Sequence, residues 1–177
     1  MKKTALAAIA LTSLAIAPLT AEARHQKYGT GQLIAMGVHP TIARSFEALN
    51  VPVIDGTTLP QICSNPDPDL KIRAIYNFKM NVVVACIQNM DNNRQFVTSV
   101  THEAVHMVQD CRTGLASYTL DAGSSKYIST LWRALPHYLR DNIIEAYDAK
   151  DWEYETEAFF FQSRPDKVAN GIRHFCF

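Results

Sequence analysis

Apolar and polar positions alternate along the chain at spacings that predict two short helices, a β-rich middle and two longer helical stretches. From Gly31 to Leu49 the apolar residues fall at Leu33, Ile34, Val38, Ile42, Phe46 and Leu49, near the helical period. Gly37 and Pro40 interrupt them, so the pattern predicts two helices rather than one. Val51 to Ile54 predicts a short strand ended by Asp55-Gly56, and Ser64 to Asp69, with Pro66 and Pro68, predicts a loop. Arg73 to Tyr76 and Val82 to Ile87 are β-rich runs five residues apart, the pattern of a hairpin. The second run is apolar on both faces. It is either the wall of a cleft, with a free edge for an extended peptide, or an internal strand that meets no ligand.

A helix follows from about Arg94 to Asp110, with Asp91, Asn92 and Asn93 as candidate N-caps and Gly114 after its end. Phe96, Val97, Val100, Ala104, Val105 and Val108 make it apolar enough to be largely buried. Leu115 to Ser125 predicts a loop. A second helical stretch begins near Leu139 or Arg140 and carries the run from Asp151 to Gln162, and the end, Ile172 to Phe177, is short and apolar. These elements predict an α+β fold: a helix-rich single domain with a small N-terminal sheet beside two long helices.

Composition changes this picture at the ends. Lys2 and Lys3 precede an apolar run from Thr4 to Leu19, and Ala21-Glu22-Ala23 supplies a small-x-small cleavage pattern. Residues 1–23 are therefore expected to be a signal peptide and residues 24–177 the mature domain, secreted or periplasmic, with no stable membrane insertion after cleavage. Lysines and arginines balance acidic residues, 17 against 17, with no basic stripe, so nucleic acid is not an expected partner. Four cysteines, Cys63, Cys86, Cys111 and Cys176, suit an exported chain with two disulfides, for which three pairings exist. The preferred one joins Cys63 to Cys86, closing the hairpin, and Cys111 to Cys176, pinning the C-terminus to the central helix.

The chemistry lies in that helix. His102-Glu103-Ala104-Val105-His106 fits the pattern HExxH. Histidines four apart stack on one helical face and can hold a single zinc ion. Glu103, one residue along, can reach a water on that ion and take its proton. Gln109, three residues after His106, lies near the same face as a candidate hydrogen-bond partner of a ligand.

A catalytic zinc usually takes three protein ligands. The continuation HExxHxxGxxH is excluded, because Gln109 and Arg112 occupy the last two positions. A glutamate from the second helix is the other solution, and Glu153, Glu155 and Glu157 are the candidates. Ala158 and Gln162 share the face of Glu155, and a small residue beside the ligand lets the two helices approach. Glu157 shares its side with Tyr154, Phe160 and Phe161, and Glu153 lines up with Glu157. The ranking is Glu155, Glu157, Glu153.

HExxH followed by ExxA on a later helix resembles the gluzincins, zinc metallopeptidases with a glutamate as third ligand. The segments HEAVHMVQ and EYETEAF are similar to those of the ImmA/IrrE-type peptidases and the CAAX-prenyl proteases. The resemblance implies a zincin-like fold, His102, His106 and Glu155 as zinc ligands, and Glu103 as catalytic base. Phe159 stands where those families place Asp or Asn, so the surroundings of the ligands must differ. Tyr118, Tyr127, His137, Tyr138, Tyr147, Arg133, Arg140 and His174 all carry side chains able to stabilise an oxyanion, and spacing singles out none. The expected function is an exported zinc metallopeptidase acting on a peptide or protein substrate. The alternatives are an exported zinc-containing binding or assembly protein without catalysis, and a metal-free domain stapled by disulfides.

Overall fold

The structure is a computed structural model that describes residues 26–64, 71–113 and 124–177. The expected signal peptide, His25, most of the loop from Ser64 to Asp69, Gly114 and Tyr118 lie outside the described residues. So does the loop from Leu115, except that its last two residues, Ser124 and Ser125, begin a helix.

Two short helices form as the spacing predicts: α1 (Thr30–Ala35) and α2 (Pro40–Ala48). Gly37 separates them with a φ of 94°, a conformation that a side chain would strain. Pro40 sits at the first turn of α2, where its missing N–H costs nothing. His39 caps that helix, its Nδ1 accepting from Thr41 N at 3.2 Å, and its Nε2 lies 3.2 Å from Asp166. These contacts give His39 a structural role.

The sheet has four strands in the order β1 (Lys27–Tyr28), β2 (Val53–Asp55), β4 (Val82–Ala85), β3 (Ala74–Asn77). β3 and β4 are the expected antiparallel hairpin, Tyr76 opposite Val83, and β2 runs parallel to β4 with Val53 opposite Val83. The β4 strand is therefore internal, buried at all four positions, and has no free edge. The cleft-wall reading of that run is corrected, because parallel pairing to β2 consumes its second edge. The outer strand on the side of the long helix is β3. On the other side, β1 adds a two-residue strand that pattern alone does not reveal.

The central helix α4 spans Asn93–Thr113. Asn92 caps it by accepting from Gln95 N at 3.0 Å, while Gln95 Oε1 accepts from Asp91 N at 2.9 Å. Four valines and three threonines make α4 a poor helix former by propensity, so burial must hold it. Phe96, Val100, Ala104, Val105, Met107 and Val108 supply that burial, each worth up to roughly 1.5–3 kcal/mol for the larger side chains. They join the main core with the faces of α1 and α2, β2 and β4.

The second helical stretch is two helices, not one: α6 (His137–Ala146) and α7 (Trp152–Phe161). Tyr147 turns extended at φ −128° and ψ 150° and ends α6, and Trp152 Nε1 donates back to the Tyr147 carbonyl at 2.9 Å. Before them, α5 (Ser124–Ala134) packs on α7, with Trp132 stacked on Trp152. The C-terminus is a further helix, α8 (Pro165–Phe175), rather than a short apolar tail. Its Gly171 lies so close to α4 that an added Cβ would stand 3.3 Å from Val108 Cγ1.

Both disulfides pair as preferred. Cys63–Cys86 ties the short helix α3 (Pro60–Cys63) to the end of β4, and Cys111–Cys176 ties the end of α8 to α4. Chain-entropy estimates for closures of 23 and 65 residues give about 3 and 4 kcal/mol. The fold is α+β and helix-rich, a single domain with a small sheet. Among the described residues no helix is long and apolar enough to cross a membrane.

Candidate metal centre

Three side chains from two helices converge between α4 and α7. His102 and His106 stand one turn apart on α4, with Nε2 atoms 3.2 Å from each other. Glu155 enters from the first turn of α7, Oε2 lying 3.3 Å from His102 Nε2 and Oε1 3.5 Å from His106 Nε2. Ala158, fully buried one turn along α7, leaves room for this approach. The first-ranked glutamate is thus the one brought to the histidines.

The triangle suits a small cation. Zinc bonds of about 2.0–2.1 Å at tetrahedral angles separate two ligand atoms by about 3.3–3.4 Å. Here the two Nε2 atoms are 3.2 Å apart, and Glu155 turns one oxygen to each imidazole, Oε2 at 3.3 Å and Oε1 at 3.5 Å. Glu155 Oε2 is buried and receives no hydrogen bond, an orphaned acceptor that a cation would satisfy. Among the described residues, His102, His106 and Glu155 form a group able to hold a metal ion.

The surroundings fix the imidazoles. Gln109 Nε2 donates to Glu157 Oε2 at 2.9 Å and to the Tyr154 carbonyl at 3.1 Å. Both partners only accept, so the Gln109 oxygen must face the other way, toward His106 Nδ1 at 2.7 Å. His106 therefore carries its proton on Nδ1 and presents a lone pair at Nε2. His102 Nδ1 faces Gln162 Oε1 at 3.3 Å, and Phe159 packs edge-on against the His102 ring.

Electrostatics follow from burial and these neighbours. Burial alone would raise the Glu155 pKa, but the imidazoles of His106 and His102 and the Tyr147 hydroxyl outweigh it and hold the carboxyl below its usual range. Burial alone would lower His102, and Glu155, Glu103 and Gln162 together reverse that, leaving it raised. Tyr147 is pushed well above the ordinary phenol value by burial first, then by Glu155 and Glu103.

Glu103 is buried beside the triangle, about 100° round α4 from His102. Its Oε2 accepts from the Tyr76 backbone N–H of β3 at 2.7 Å. The phenol of the same tyrosine donates to Asp110 Oδ2 at 2.9 Å, two turns further along α4. One edge-strand residue thus clamps the helix at two points of one face.

The other candidates separate. Glu157 is buried but engaged, its carboxylate bonded to Gln109, to both Arg112 nitrogens at 2.9 and 3.1 Å, and to the Tyr127 hydroxyl at 3.2 Å. Glu153 is exposed on the opposite side. Of the possible oxyanion-stabilising residues, Tyr147 lies against Glu155, whereas His137 pairs with Asp141 on the surface and Tyr138 is exposed. Tyr127, one of those candidates, is instead engaged with Glu157. Sequence reasoning missed the Tyr76 amide and the part played by Arg112, of which only Arg112, three residues after Gln109 on the same helix, carried a local signal.

Residues 62–177 match the model of a family described as a domain of unknown function, DUF8637. No curated protein and no solved structure matches the chain.

Proposed function

The chain belongs to the DUF8637 family, and we propose that it is an exported zinc-dependent metallopeptidase in which His102, His106 and Glu155 hold the metal. The observation that carries this reading is the triangle of ligand atoms with its orphaned buried oxygen, Glu155 Oε2, beside a buried glutamate of the HExxH pattern. Two imidazoles and one carboxylate favour zinc over the harder divalent ions. Two disulfides fit a chain that matures in an oxidising compartment.

When bound, zinc supplies Lewis acidity and lowers the pKa of water. The chain's own residues do the rest. The Tyr76 amide engages Glu103 Oε2, which orients the carboxylate and leaves Oε1 to take a proton from the attacking water. Gln162 and Gln109 hold the two imidazoles in the Nδ1–H form. Tyr147, kept protonated by burial and by its acidic neighbours, holds a proton beside Glu155. The substrate class is a peptide or protein.

Glu103→Gln tests the mechanism. The variant should bind zinc at wild-type stoichiometry and lose hydrolysis of a broad peptide library; full hydrolysis would refute the role of Glu103. The hydrogen bond that Tyr76 N gives Glu103 also favours a second reading, a zinc-containing binding or assembly protein in which this glutamate only buttresses the helix. Zinc bound one to one with no turnover by the wild type would favour that reading.

A further inference from the structure

Glu157 lies behind the metal triangle rather than in it, and its surroundings are costly for a structural salt bridge alone. The carboxylate is 5% exposed and receives four hydrogen bonds, from Gln109, twice from Arg112, and from Tyr127. A buried ion pair of this kind contributes little net stability over an apolar pair of similar volume. It does fix orientation. Glu157 and the Tyr154 carbonyl can only accept, so together they compel Gln109 to turn its amide nitrogen toward α7 and its oxygen toward His106 Nδ1.

We propose that Glu157 is a positioning residue for the metal: through Gln109 it locks His106 in the tautomer whose Nε2 lone pair faces Glu155 and His102. Arg112 neutralises the carboxylate from α4, and Tyr127 brings α5 into the same network. The relay rests on the reading of His102, His106 and Glu155 as a metal site.

Glu157→Gln exposes the logic. With Arg112 in place, the new amide presents its oxygen to the guanidinium and its nitrogen to Gln109. The Gln109 nitrogen then keeps only the Tyr154 carbonyl as an acceptor and meets a donor at position 157, so the orientation that serves His106 Nδ1 loses its charged partner. Gln109→Met removes the relay without adding a charge and keeps the volume.

Zinc affinity by competition with a chromophoric chelator, the zinc-free unfolding midpoint, and the visible spectrum of the cobalt-substituted protein are measured for wild type, both variants and their combination. Each single variant should bind zinc 10–100-fold more weakly, the range for loss of a partner to a ligand. The combination should be no weaker than the worse single variant, because both break one relay. The cobalt spectrum should change in both. Unchanged affinity in Gln109→Met, or losses that add in the combination, overturns the relay while leaving the metal site intact. Absence of zinc from the wild type overturns the site and the relay together.

Discussion

Replacing Glu155 by glutamine separates a metal site from a structural ion pair, because the two assign opposite consequences to the same change. In the zinc-free chain, the wild type buries a carboxylate 3.3 and 3.5 Å from two imidazoles, with one oxygen lacking any hydrogen-bond donor. Glutamine keeps the volume and removes the charge. It relieves the desolvation of the carboxylate and forfeits its attraction to the imidazoles, two effects that nearly cancel in buried pairs. The zinc-free stabilities should therefore agree within about 1 kcal/mol.

Zinc should then divide them. At free zinc a thousandfold above the dissociation constant, the wild type gains about 4.1 kcal/mol. For a domain of this size that is about 8–16 °C in the unfolding midpoint, at roughly 2–4 °C per kcal/mol. A hundredfold weaker site at the same zinc gains only about 1.4 kcal/mol, or about 3–6 °C. Thermal unfolding followed by circular dichroism, with a chelator and then across a zinc titration, reads both quantities. An equal zinc shift in the two proteins would remove Glu155 from the ligand set. A zinc-free variant destabilised by about 3–5 kcal/mol, with no zinc shift in wild type, would make the cluster a structural ion pair and sink the metal reading.

Three further outcomes are expected. Gly56→Ala places a Cβ 2.4 Å from Cys63 Sγ and 3.1 Å from the Ala85 carbonyl, so it should cost about 1–3 kcal/mol in urea unfolding; unchanged stability would contradict the packing around that disulfide. Tyr76→Phe should cost about 1.5–3 kcal/mol through the lost hydrogen bond to the Asp110 carboxylate, yet leave zinc affinity unchanged, since the backbone amide is what engages Glu103; isothermal titration with zinc checks this. Tyr127 is raised to about 12 by burial and by Glu157, above the ordinary phenol value of about 10. The native state therefore holds that proton more tightly than the unfolded chain, and the associated stabilisation is complete below pH ~10 and lost as pH climbs through about 12. Ultraviolet phenolate titration of wild type minus Tyr127→Phe should give a midpoint near the raised value; a midpoint near 10 would contradict its contact with Glu157.

The features legible in the sequence were those governed by the geometry of one helix at a time. The spacing of His102 and His106 fixes their common face, and the position of Ala158 and Gln162 relative to Glu155 ranks the acidic residues of α7. Cys111, nine residues after His102, had to leave on the far side of α4, where α8 now meets it. The break between α6 and α7 had no such signal: from Leu139 to Phe161 there is neither proline nor glycine, and only the fold turns Tyr147 extended. The α8 helix was obscured for the opposite reason. Asn170-Gly171 carries turn chemistry, but Val168, Ala169 and Ile172 are buried against the core, and that burial overrides the local preference. Strand order was also beyond reach, because the parallel pairing of β2 with β4 joins segments that share no local pattern.

What the sequence could not convey about the site is how α4 divides its circumference. The face of His102, His106 and Gln109 meets α7; about a quarter turn away, Glu103 and Asp110 meet β3 through one tyrosine. On the opposite side Cys111 holds α8, with Val100, Ala104 and Val108 in the core. Arg112 leaves the helix on the remaining quarter and reaches both Glu157 and the ring of Phe175. A helix of weak intrinsic propensity is thus fixed from every direction, so the ligand face cannot rotate without breaking a hydrogen bond to β3, a disulfide or an ion pair. That is the rigidity a three-ligand metal site needs: displacement of one imidazole by 1 Å would pull it out of contacts of 3.2–3.5 Å with the other two ligands. It also explains why polar residues as expensive to bury as Glu103, Gln109, Glu155 and Glu157 all lie at the junction of α4 with α7 and β3. Each has a partner there except Glu155 Oε2, and that single omission is the one a cation would repair.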